Sequence, residues 1–308
     1  MGKMDLDLII IGGGPAGLTA GIYAARARLD ALLLEKITPG GQVLTTDWIE
    51  NYPGFPEGIS GADLVMKMNE QAGNFDVKVE SAEITDMDLS ADPKKVVAGD
   101  TTYTARAVII ASGASPNSLG VPGEDRFFGK GISSCATCDA PFYKDKVVAA
   151  VGGGDTAVQE SLFLTKFVKK VYLIHRRDQL RATRLLQERA MANDKLEILW
   201  DSVVTEIGGG LTNVEKVTVK NVKTGETQDL PVDGCFIWVG ISPNTEFLDK
   251  TVETDERGFI LTDQDMATSV PGVFAAGDVR AKTLRQISTA VGDASTAAYS
   301  AETYLEGL

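Results

Sequence analysis

Short apolar runs followed by glycines, and then by longer apolar stretches without breakers, recur along the chain. The stretch DLIIIGGGPAG at 7–17 is followed by LTAGIYAARA and then by DALLLE at 30–35. A continuous apolar run of this length, bounded by turn residues, is typical of a buried strand, and the stretch after it has the length of a helix. The pattern therefore predicts strands that alternate with helices around a parallel sheet, an α/β fold.

The first glycine-rich turn has the spacing of a dinucleotide-binding motif. Gly12, Gly14 and Gly17 match G-x-G-x-x-G between a predicted strand and a predicted helix. The three glycines allow a tight turn, close backbone approach to a pyrophosphate and close helix packing. Glu35 ends the next strand 18 residues after Gly17, where a ribose-binding carboxylate is expected.

A second copy of the motif begins 140 positions later. KVVAAVGGGDTA at 146–157 repeats the strand, the glycine turn and the start of a helix, with Gly152, Gly154 and Ala157 in register with the first copy. The strand VYLI then leads to His175, which is 18 residues after Ala157 and takes the position of Glu35. Equal register in both copies makes two nucleotide sites a better explanation than two glycine turns without a ligand.

The two copies differ in charge where the ribose is expected. The second has His175, Arg176 and Arg177, with Arg181 following. A carboxylate accepts a hydrogen bond from a free 2′-hydroxyl and repels a phosphate, whereas guanidinium groups bind a phosphate. The first site therefore suits an adenosine with a free ribose, and the second suits NADPH. An Arg-Arg pair at a solvated strand end is the alternative, and His175 is assigned a supporting role.

The C-terminal part of the chain predicts a discontinuous domain. The second unit closes with the strand GCFIWVG at 234–240, and the helical tail beyond it has no third glycine motif. We therefore expect one domain of residues 1–114 and 247–308, and a second domain of residues 115–246 inserted into it. The Pro-Asn segments at 113–120 and 241–247 are the candidate linkers and a plausible hinge.

Composition excludes several functional classes. The chain has 308 residues, 44% of them apolar, and a formal charge of −13. This charge argues against a general nucleic-acid binder, although a local basic patch can still bind a phosphate. No apolar run approaches the roughly 20 residues of a membrane span, and the N-terminal apolar stretch is short for a signal peptide. We expect a cytoplasmic protein.

The only close cysteine pair is Cys135-Ala-Thr-Cys138, followed directly by Asp139. A zinc site needs four ligands, and the chain offers besides this pair only Cys235 and one histidine, so we expect no metal. A disulfide that closes so short a loop constrains little of the unfolded chain. A redox-active dithiol remains. Asp139 then moves a proton or, alternatively, caps a turn. A flavin is the obvious intermediary between a nicotinamide and a disulfide.

Motifs along nearly the whole chain resemble the low-molecular-weight thioredoxin reductases, class II of the pyridine nucleotide-disulfide oxidoreductases. They are GGGPAG, GGQ at 40–42, ENYPG at 50–54, CATCD at 135–139, GGGDTA, HRRD at 175–178, PGVFAAGD and RQ at 285–286. CATCD within the second domain is the most specific of them. The related glutathione reductase type carries its cysteines shortly after the first glycine motif, where this chain has none.

The resemblance implies a homodimer with two Rossmann-like domains, the NADPH domain inserted in the FAD domain. It implies NADPH-dependent reduction of thioredoxin through FAD, with Cys138 nearest the flavin, Cys135 attacking the thioredoxin disulfide and Asp139 as the acid-base residue. It also implies two alternating arrangements of the domains. The FAD residues would be Gly12, Gly14, Pro15, Ala16, Glu35, Gly41, Gln42, Asn51, Gly277, Asp278, Arg285, Gln286 and Ile287, with Asp278 on the ribityl chain. The NADPH residues would be Gly152, Gly154, Asp155, Thr156, Ala157, His175, Arg176, Arg177 and Arg181.

The segment after the cysteine pair departs from the family pattern. The family commonly has a small residue and two aromatics there for thioredoxin docking, whereas this chain has Ala140-Pro141-Phe142. Lys130 also stands where an arginine is frequent. A second hypothesis therefore keeps the flavin and the cysteines but reduces another CxxC carrier, such as a glutaredoxin-like module of a peroxide-reducing system. A third hypothesis is a non-enzymatic redox sensor or nucleotide-binding regulator.

Overall fold

The chain forms two compact units in the computed structural model, which describes residues 5–46, 49, 51–248 and 250–308. Unit 1 comprises residues 1–115 and 242–308, and unit 2 comprises residues 116–241. Glu50, the first residue of the ENYPG motif, lies outside the described residues. Elements are numbered along the chain.

Unit 1 is built on one seven-stranded sheet. Its strands are β1 (Asp5–Ile11), β2 (Ala31–Glu35), β3 (Lys78–Ser81), β4 (Ile84–Asp88), β5 (Lys94–Ala98), β6 (Thr101–Ile110) and β17 (Val273–Ala275). The order is β3-β2-β1-β6-β5-β4, and β17 also pairs with β6. Strands β1, β2, β3, β6 and β17 pair in parallel, whereas β4 and β5 are joined to β6 as an antiparallel extension.

Strand β6 is long enough to pair with two different strands along the same edge. Its first half, Thr101 to Ala105, pairs with β5, and Val108 to Ile110 pair with β17. Residues 107–110 are fully buried, as expected for a central strand covered on both faces. The C-terminal segment thus returns to the sheet that the N-terminal segment begins.

In the described part of unit 1, the α-helices are α1 (Pro15–Arg26), α2 (Gly61–Gly73) and α7 (Ile287–Glu306). Helices α1 and α7 pack against each other. The buried residues of α7 include five alanines, at 290, 294, 297, 298 and 301, which recur every three or four positions on one face. Small side chains on that face allow α7 to lie close to its neighbours.

Unit 2 has a parallel sheet in the order β11-β10-β9-β15-β8. Its strands are β8 (Ile132–Ser133), β9 (Val147–Gly152), β10 (Lys170–Ile174), β11 (Leu196–Leu199) and β15 (Gly234–Trp238), and its helices are α3 (Glu124–Phe127), α4 (Ala136–Asp139), α5 (Asp155–Leu164) and α6 (Arg184–Met191). A separate antiparallel sheet contains β12 (Ser202–Gly209), β13 (Val214–Asn221) and β14 (Thr227–Pro231). The predicted alternation of strands and helices is therefore supplemented by antiparallel strands in both units.

The two connections between the units contain the short strands β7 (Ala114–Pro116) and β16 (Ile241–Pro243). On the unit 1 side, the Asn244 side-chain amide donates to the Ser112 carbonyl over 2.8 Å. On the unit 2 side, the buried Glu124 carboxylate accepts from the backbone N–H groups of Leu119 and Gly120. Hydrogen bonds within each unit thus fix the chain next to both connections.

Among the described residues, we find no helix that combines the length and the apolar character needed to cross a membrane.

The first glycine turn allows a stability test with a matched control. A Cβ added at Gly17 would lie 1.7 Å from the Gly12 carbonyl oxygen, whereas one added at Gly14 meets nothing within 4 Å. We expect Gly17→Ala to lower the free energy of unfolding by about 2 kcal/mol or more, because the backbone must move to relieve the overlap. Gly14→Ala should lower it by less than about 1 kcal/mol. Urea unfolding measures both, and equal losses would contradict this account of the turn.

Candidate active site

The cysteine pair forms a disulfide in unit 2. Cys135 and Cys138 are both half-buried, and their Cα atoms are 5.3 Å apart. Cys135 precedes the first residue of α4, and its backbone N–H donates to the Ser133 hydroxyl over 3.0 Å. The Thr137 hydroxyl lies 3.4 Å from the Cys135 sulfur and must be the donor, because a disulfide sulfur carries no hydrogen.

Aromatic side chains from the sheet support the segment before the pair. The Trp238 indole N–H donates to the Ser134 carbonyl over 2.9 Å. Trp238 stacks on Phe236 with ring centroids 5.5 Å apart, and Phe236 makes an edge contact with Tyr143 at 5.2 Å. Strand β15 therefore contacts Ser134, immediately before Cys135, and Tyr143, four residues after the end of α4.

Asp139 directly follows Cys138 and is half-buried, and its backbone N–H donates to the Cys135 carbonyl over 3.2 Å. The third cysteine is chemically different, because Cys235 is fully buried in β15 and burial raises the pKa of its thiol to about 12. Cys235 is therefore a core residue rather than a reactive thiol. No cluster of three or more potential His, Cys, Asp or Glu metal ligands occurs in the described part of the chain.

The first glycine turn leaves its helix terminus open. Gly12 has a φ of +102°, and a Cβ there would lie 2.5 Å from the Ala111 carbonyl oxygen, so only glycine fits. Gly14 precedes α1 and faces open space. Glu35 ends β2, and its carboxylate accepts from the Gly13 N–H over 2.6 Å, which places it beside the turn. The structure thus brings together the motif glycines and the acid that the sequence assigns to a ribose.

Two further segments approach the start of α1. Gly41 has a φ of +59°, and a Cβ there would lie 3.3 Å from the Gly14 Cα, so the 40–42 turn lies beside the motif. A Cβ at Gly277 would lie 3.0 Å from the Cβ of Ala16. The turn that carries Asp278 is therefore next to the first residues of α1.

Asp278 has an unsatisfied buried oxygen. Its Oδ1 atom is buried and accepts no hydrogen bond, and the nearest cation is the Lys282 ammonium at 3.9 Å. Burial raises the pKa of this carboxyl, and the positive charges of Lys282 and Arg285 oppose that shift. A buried acceptor without a donor costs free energy, so its presence here indicates a ligand with a hydroxyl or amide donor.

Three further residues predicted to bind FAD, Asn51, Arg285 and Gln286, make hydrogen bonds within unit 1. Arg285 donates to three carbonyls, those of Asp278, Lys282 and Arg280, at 3.0–3.2 Å. Its guanidinium therefore holds the loop around Asp278. Gln286 precedes α7, which begins at Ile287, and accepts from the Asn51 side-chain amide over 3.0 Å.

The second glycine turn repeats the first in unit 2. Gly152 has a φ of +153°, and a Cβ there would lie 2.5 Å from the Cβ of Ala157. Gly154 precedes α5 and, like Gly14, faces open space. Asp155 begins α5 and is followed by Thr156, and its carboxylate accepts from the Thr183 N–H over 2.6 Å.

His175 lies under this turn rather than on its surface. It is only 4% exposed, and its two ring nitrogens lie 2.8 Å from the carbonyl oxygens of Gly152 and Gln179. A Cβ at Gly153 would lie 2.1 Å from His175 Nδ1, so the imidazole packs directly against the turn. This position suits the supporting role assigned from the sequence and leaves no ring nitrogen free for a ligand.

The arginines next to His175 are exposed, and none of the ion pairs among the described residues involves Arg176, Arg177 or Arg181. The neighbouring acids pair with another cation, since Lys223 lies 3.2 Å from the Asp178 carboxylate and 3.0 Å from that of Asp201. The guanidinium groups are therefore available to an anion. The backbone N–H of Arg181 donates to the Gly153 carbonyl over 2.7 Å, which fixes this residue beside the turn.

The sequence did not predict a charged cluster that lies next to the Asp278 turn. The half-buried Asp293 of α7 lies 2.9 Å from the Arg280 guanidinium and 2.8 Å from the Lys282 ammonium. It also accepts from the Gly277 N–H over 3.1 Å. These residues are up to 16 positions apart, and no motif in the sequence links them.

The comparisons with known proteins agree with this geometry. The family model described as pyridine nucleotide-disulphide oxidoreductase matches residues 6–294. The chain belongs to this family. It is 46% identical over 302 residues to a thioredoxin reductase of Listeria innocua, with 98% of this chain and 94% of that protein covered. It is 47% identical to one of Bacillus subtilis, with 98% and 95% covered.

Solved structures match over the full length as well. The thioredoxin reductase from Streptococcus pyogenes has a TM-score of 0.94 at 48% identity, with 100% of both chains covered. The one from Giardia duodenalis has a TM-score of 0.91 at 40% identity, with 99% of this chain and 100% of that chain covered. The predicted resemblance and the predicted fold class of two Rossmann-like domains are confirmed. The predicted cofactors are confirmed too, because this oxidoreductase family is FAD-dependent and uses NADPH.

Proposed function

We propose that the protein is an NADPH-dependent flavoprotein disulfide reductase that passes electrons through FAD and the Cys135–Cys138 disulfide to oxidised thioredoxin. The disulfide in the half-buried CATCD segment is the observation that carries this proposal. It lies in the same unit as the glycine turn with free arginines. The relatives named thioredoxin reductase, which align over nearly the whole chain, support the choice of substrate.

The two sulfurs have different tasks in this proposal. When the disulfide takes up two electrons and two protons, its S–S bond breaks and two thiols form. Cys135, as a thiolate, attacks one sulfur of the thioredoxin disulfide, and Cys138 then attacks the resulting mixed disulfide. This restores the Cys135–Cys138 bond and releases thioredoxin with two thiols. Asp139 accepts and returns the proton of the thiol that becomes the thiolate, since it directly follows Cys138 and its side chain is half-buried.

The residues of unit 1 fit FAD. The open helix terminus at Gly14 suits the pyrophosphate, and Glu35 beside the turn suits the ribose. The unsatisfied oxygen of Asp278 suits a hydroxyl of the ribityl chain. Asn51, Gln286 and the turn at Gly41 complete the binding segment. The flavin, when bound, supplies the two-electron link between a nicotinamide and a disulfide.

The residues of unit 2 fit NADPH. The open terminus at Gly154 receives the pyrophosphate, and Arg176, Arg177 and Arg181 receive the 2′-phosphate, because these exposed guanidinium groups carry no carboxylate partner in the described chain. The buried His175 imidazole supports the turn through its hydrogen bond with the Gly152 carbonyl.

Residues that flank the cysteine pair in the sequence favour an alternative substrate. Phe142 is 43% exposed, but Pro141 stands before it where an aromatic is common, and the exposed Lys130 replaces an arginine. A second candidate function is therefore the reduction of another CxxC carrier, glutaredoxin-like or part of a peroxide-reducing system.

We also propose a cytoplasmic homodimer. Tyr23, Met66 and Tyr299 lie on α1, α2 and α7 of unit 1 and are 46%, 62% and 67% exposed, which supports an association surface on these helices. Sedimentation equilibrium should give twice the chain mass of 32.8 kDa. A mass of one chain at micromolar concentration would rule out the dimer.

The function is tested with the purified protein and a purified thioredoxin. We expect a yellow protein whose flavin absorbance is bleached by NADPH and which oxidises NADPH continuously when thioredoxin and insulin are present. Cys138→Ser should keep the bleaching by NADPH and lose thioredoxin reduction, because the disulfide is absent. Cys235→Ala, which removes the buried cysteine, is the matched control and should keep turnover.

Each alternative has its own outcome in this assay. Turnover with a glutaredoxin-like carrier and none with thioredoxin would select the second function. A protein that binds no flavin, or a Cys138→Ser variant that still reduces thioredoxin, would refute the proposed route.

The phosphate site is tested by the nucleotide preference. We expect Arg176→Ala/Arg177→Ala to raise KM for NADPH about 10- to 100-fold, because each guanidinium makes charge-assisted hydrogen bonds to the phosphate. KM for NADH should change less than about twofold, since NADH lacks that phosphate. Arg189→Ala, an exposed arginine on α6 of the same unit, is the control. Equal losses for NADPH and NADH would show that the arginines do not bind the 2′-phosphate.

A further inference from the structure

The carboxylate of Asp293, on helix α7, contacts three groups around the turn that carries Asp278. Its Oδ1 atom lies 2.9 Å from the Arg280 guanidinium. Its Oδ2 atom lies 2.8 Å from the Lys282 ammonium and accepts from the Gly277 N–H over 3.1 Å. Both oxygens are therefore bound to residues that lie within a few positions of Asp278 in the chain.

The charges of this cluster are shielded from water. The side chains of Arg280 and Lys282 are each 11% exposed, and that of Asp293 is 14% exposed. A charge removed from water to this extent has to be paired and hydrogen-bonded, unlike one on the open surface. Arg280 is also fixed from its other side, since its Nε–H donates to the Thr262 hydroxyl over 2.8 Å. Asp293 is thus anchored to a guanidinium that is itself held in place.

The Lys282 ammonium lies between two carboxylates. Its nitrogen is 2.8 Å from Asp293 Oδ2 but 3.9 Å from Asp278 Oδ1, so only the first contact is a hydrogen bond. These two acids are the ion-pair partners of Lys282 among the described residues. Asp293 therefore holds the ammonium at a distance that leaves the buried Asp278 Oδ1 without a donor.

The distance between Lys282 and Asp278 matters for any ligand of this carboxylate. If the ammonium moved onto Asp278 Oδ1, it would form a charge-assisted hydrogen bond that a neutral hydroxyl would have to displace. The bond from the Gly277 N–H to Asp293 fixes the same turn near α1, because a Cβ at Gly277 would lie 3.0 Å from that of Ala16. Asp293 thus keeps the acceptor unoccupied and also fixes its position.

We propose that Asp293 is a positioning residue of the FAD site, which keeps the Asp278 carboxylate available to a hydroxyl of the ribityl chain by holding Lys282 away from it. The inference deepens the proposed function and rests on the FAD site proposed for unit 1. It concerns the affinity for the cofactor, which can be measured without turnover.

The test measures the dissociation constant of FAD from the FAD-loaded protein. The protein is diluted serially in buffer with one fixed concentration of potassium bromide, which weakens flavin binding, and FAD that passes an ultrafiltration membrane is measured by its fluorescence. Asp293→Asn removes the charge and keeps an oxygen for the Gly277 N–H. We expect it to raise the dissociation constant at least about tenfold, because Lys282 then has only Asp278 to pair with.

A second substitution separates this role from a loss of packing. In Asp293→Asn/Lys282→Met no ammonium lies beside Asp278, and the dissociation constant should return to within about threefold of that of the unmodified protein. Lys282→Met alone should also stay within about threefold, since Arg280 still binds Asp293. Damage to the packing around residue 293 would not be reversed by removing the lysine.

The matched control is Glu306→Gln, which removes an exposed carboxylate on the same helix and should change the dissociation constant less than about twofold. Asp293→Thr removes the charge with a side chain that keeps one acceptor oxygen. It should act in the same direction as Asp293→Asn, and it replaces that variant if the asparagine protein does not fold.

The outcomes distinguish this inference from the proposed function. If the unmodified protein carries no FAD, the proposed function fails and the inference fails with it. If FAD binds but Asp293→Asn and Asp293→Thr match Glu306→Gln, only the inference is overturned. A weaker affinity that Lys282→Met does not restore would assign Asp293 a purely structural role, and that also overturns the inference.

Discussion

The contact on which both proposed nucleotide sites depend is the close approach of a helix to the glycine turn before it. In unit 1, a Cβ at Gly17 would lie 1.7 Å from the Gly12 carbonyl oxygen, and in unit 2 a Cβ at Gly152 would lie 2.5 Å from that of Ala157. Only residues with small side chains allow α1 and α5 to start this close to the strand ends. Each helix then presents its first N–H groups, and the positive end of its dipole, to an open space at Gly14 or Gly154.

The sheet of unit 2 connects that turn with the cysteine chemistry. Strand β9 ends at Gly152, and its neighbour β15 carries Phe236 and Trp238, which support the CATCD segment. Helix α5 begins at the turn and packs against α4, the short helix that begins directly after Cys135. The strand–turn–helix unit that carries the second glycine motif therefore also packs against the helix of the CATCD segment.

The sequence predicted the features that depend on local chain geometry and missed those that depend on tertiary pairing. The turns at Gly12 and Gly152, the acid at Glu35 and the exposed arginines follow from spacing alone. The Asp293–Arg280–Lys282 cluster does not, because its members meet only when α7 packs next to the Asp278 turn. The antiparallel strands β12 to β14 were also not anticipated, although Asn221 accepts from the N–H groups of Lys223 and Thr224 in the turn that joins two of them.

The two proposed nucleotide sites share the strand–turn–helix arrangement, so a difference in their ligand preference must come from the strand ends. In unit 1 the acid is bound to the turn itself, through the Gly13 N–H, and stays where a ribose is expected. In unit 2 the corresponding His175 is turned inward, and the residues after it project outward. The exposed ion pair of Lys223 with Asp178 contributes little to stability. Lys223 also pairs with the less exposed Asp201. Both pairs matter for electrostatics, because two carboxylates that are paired with a lysine compete less with a phosphate for the guanidinium groups of Arg176 and Arg177.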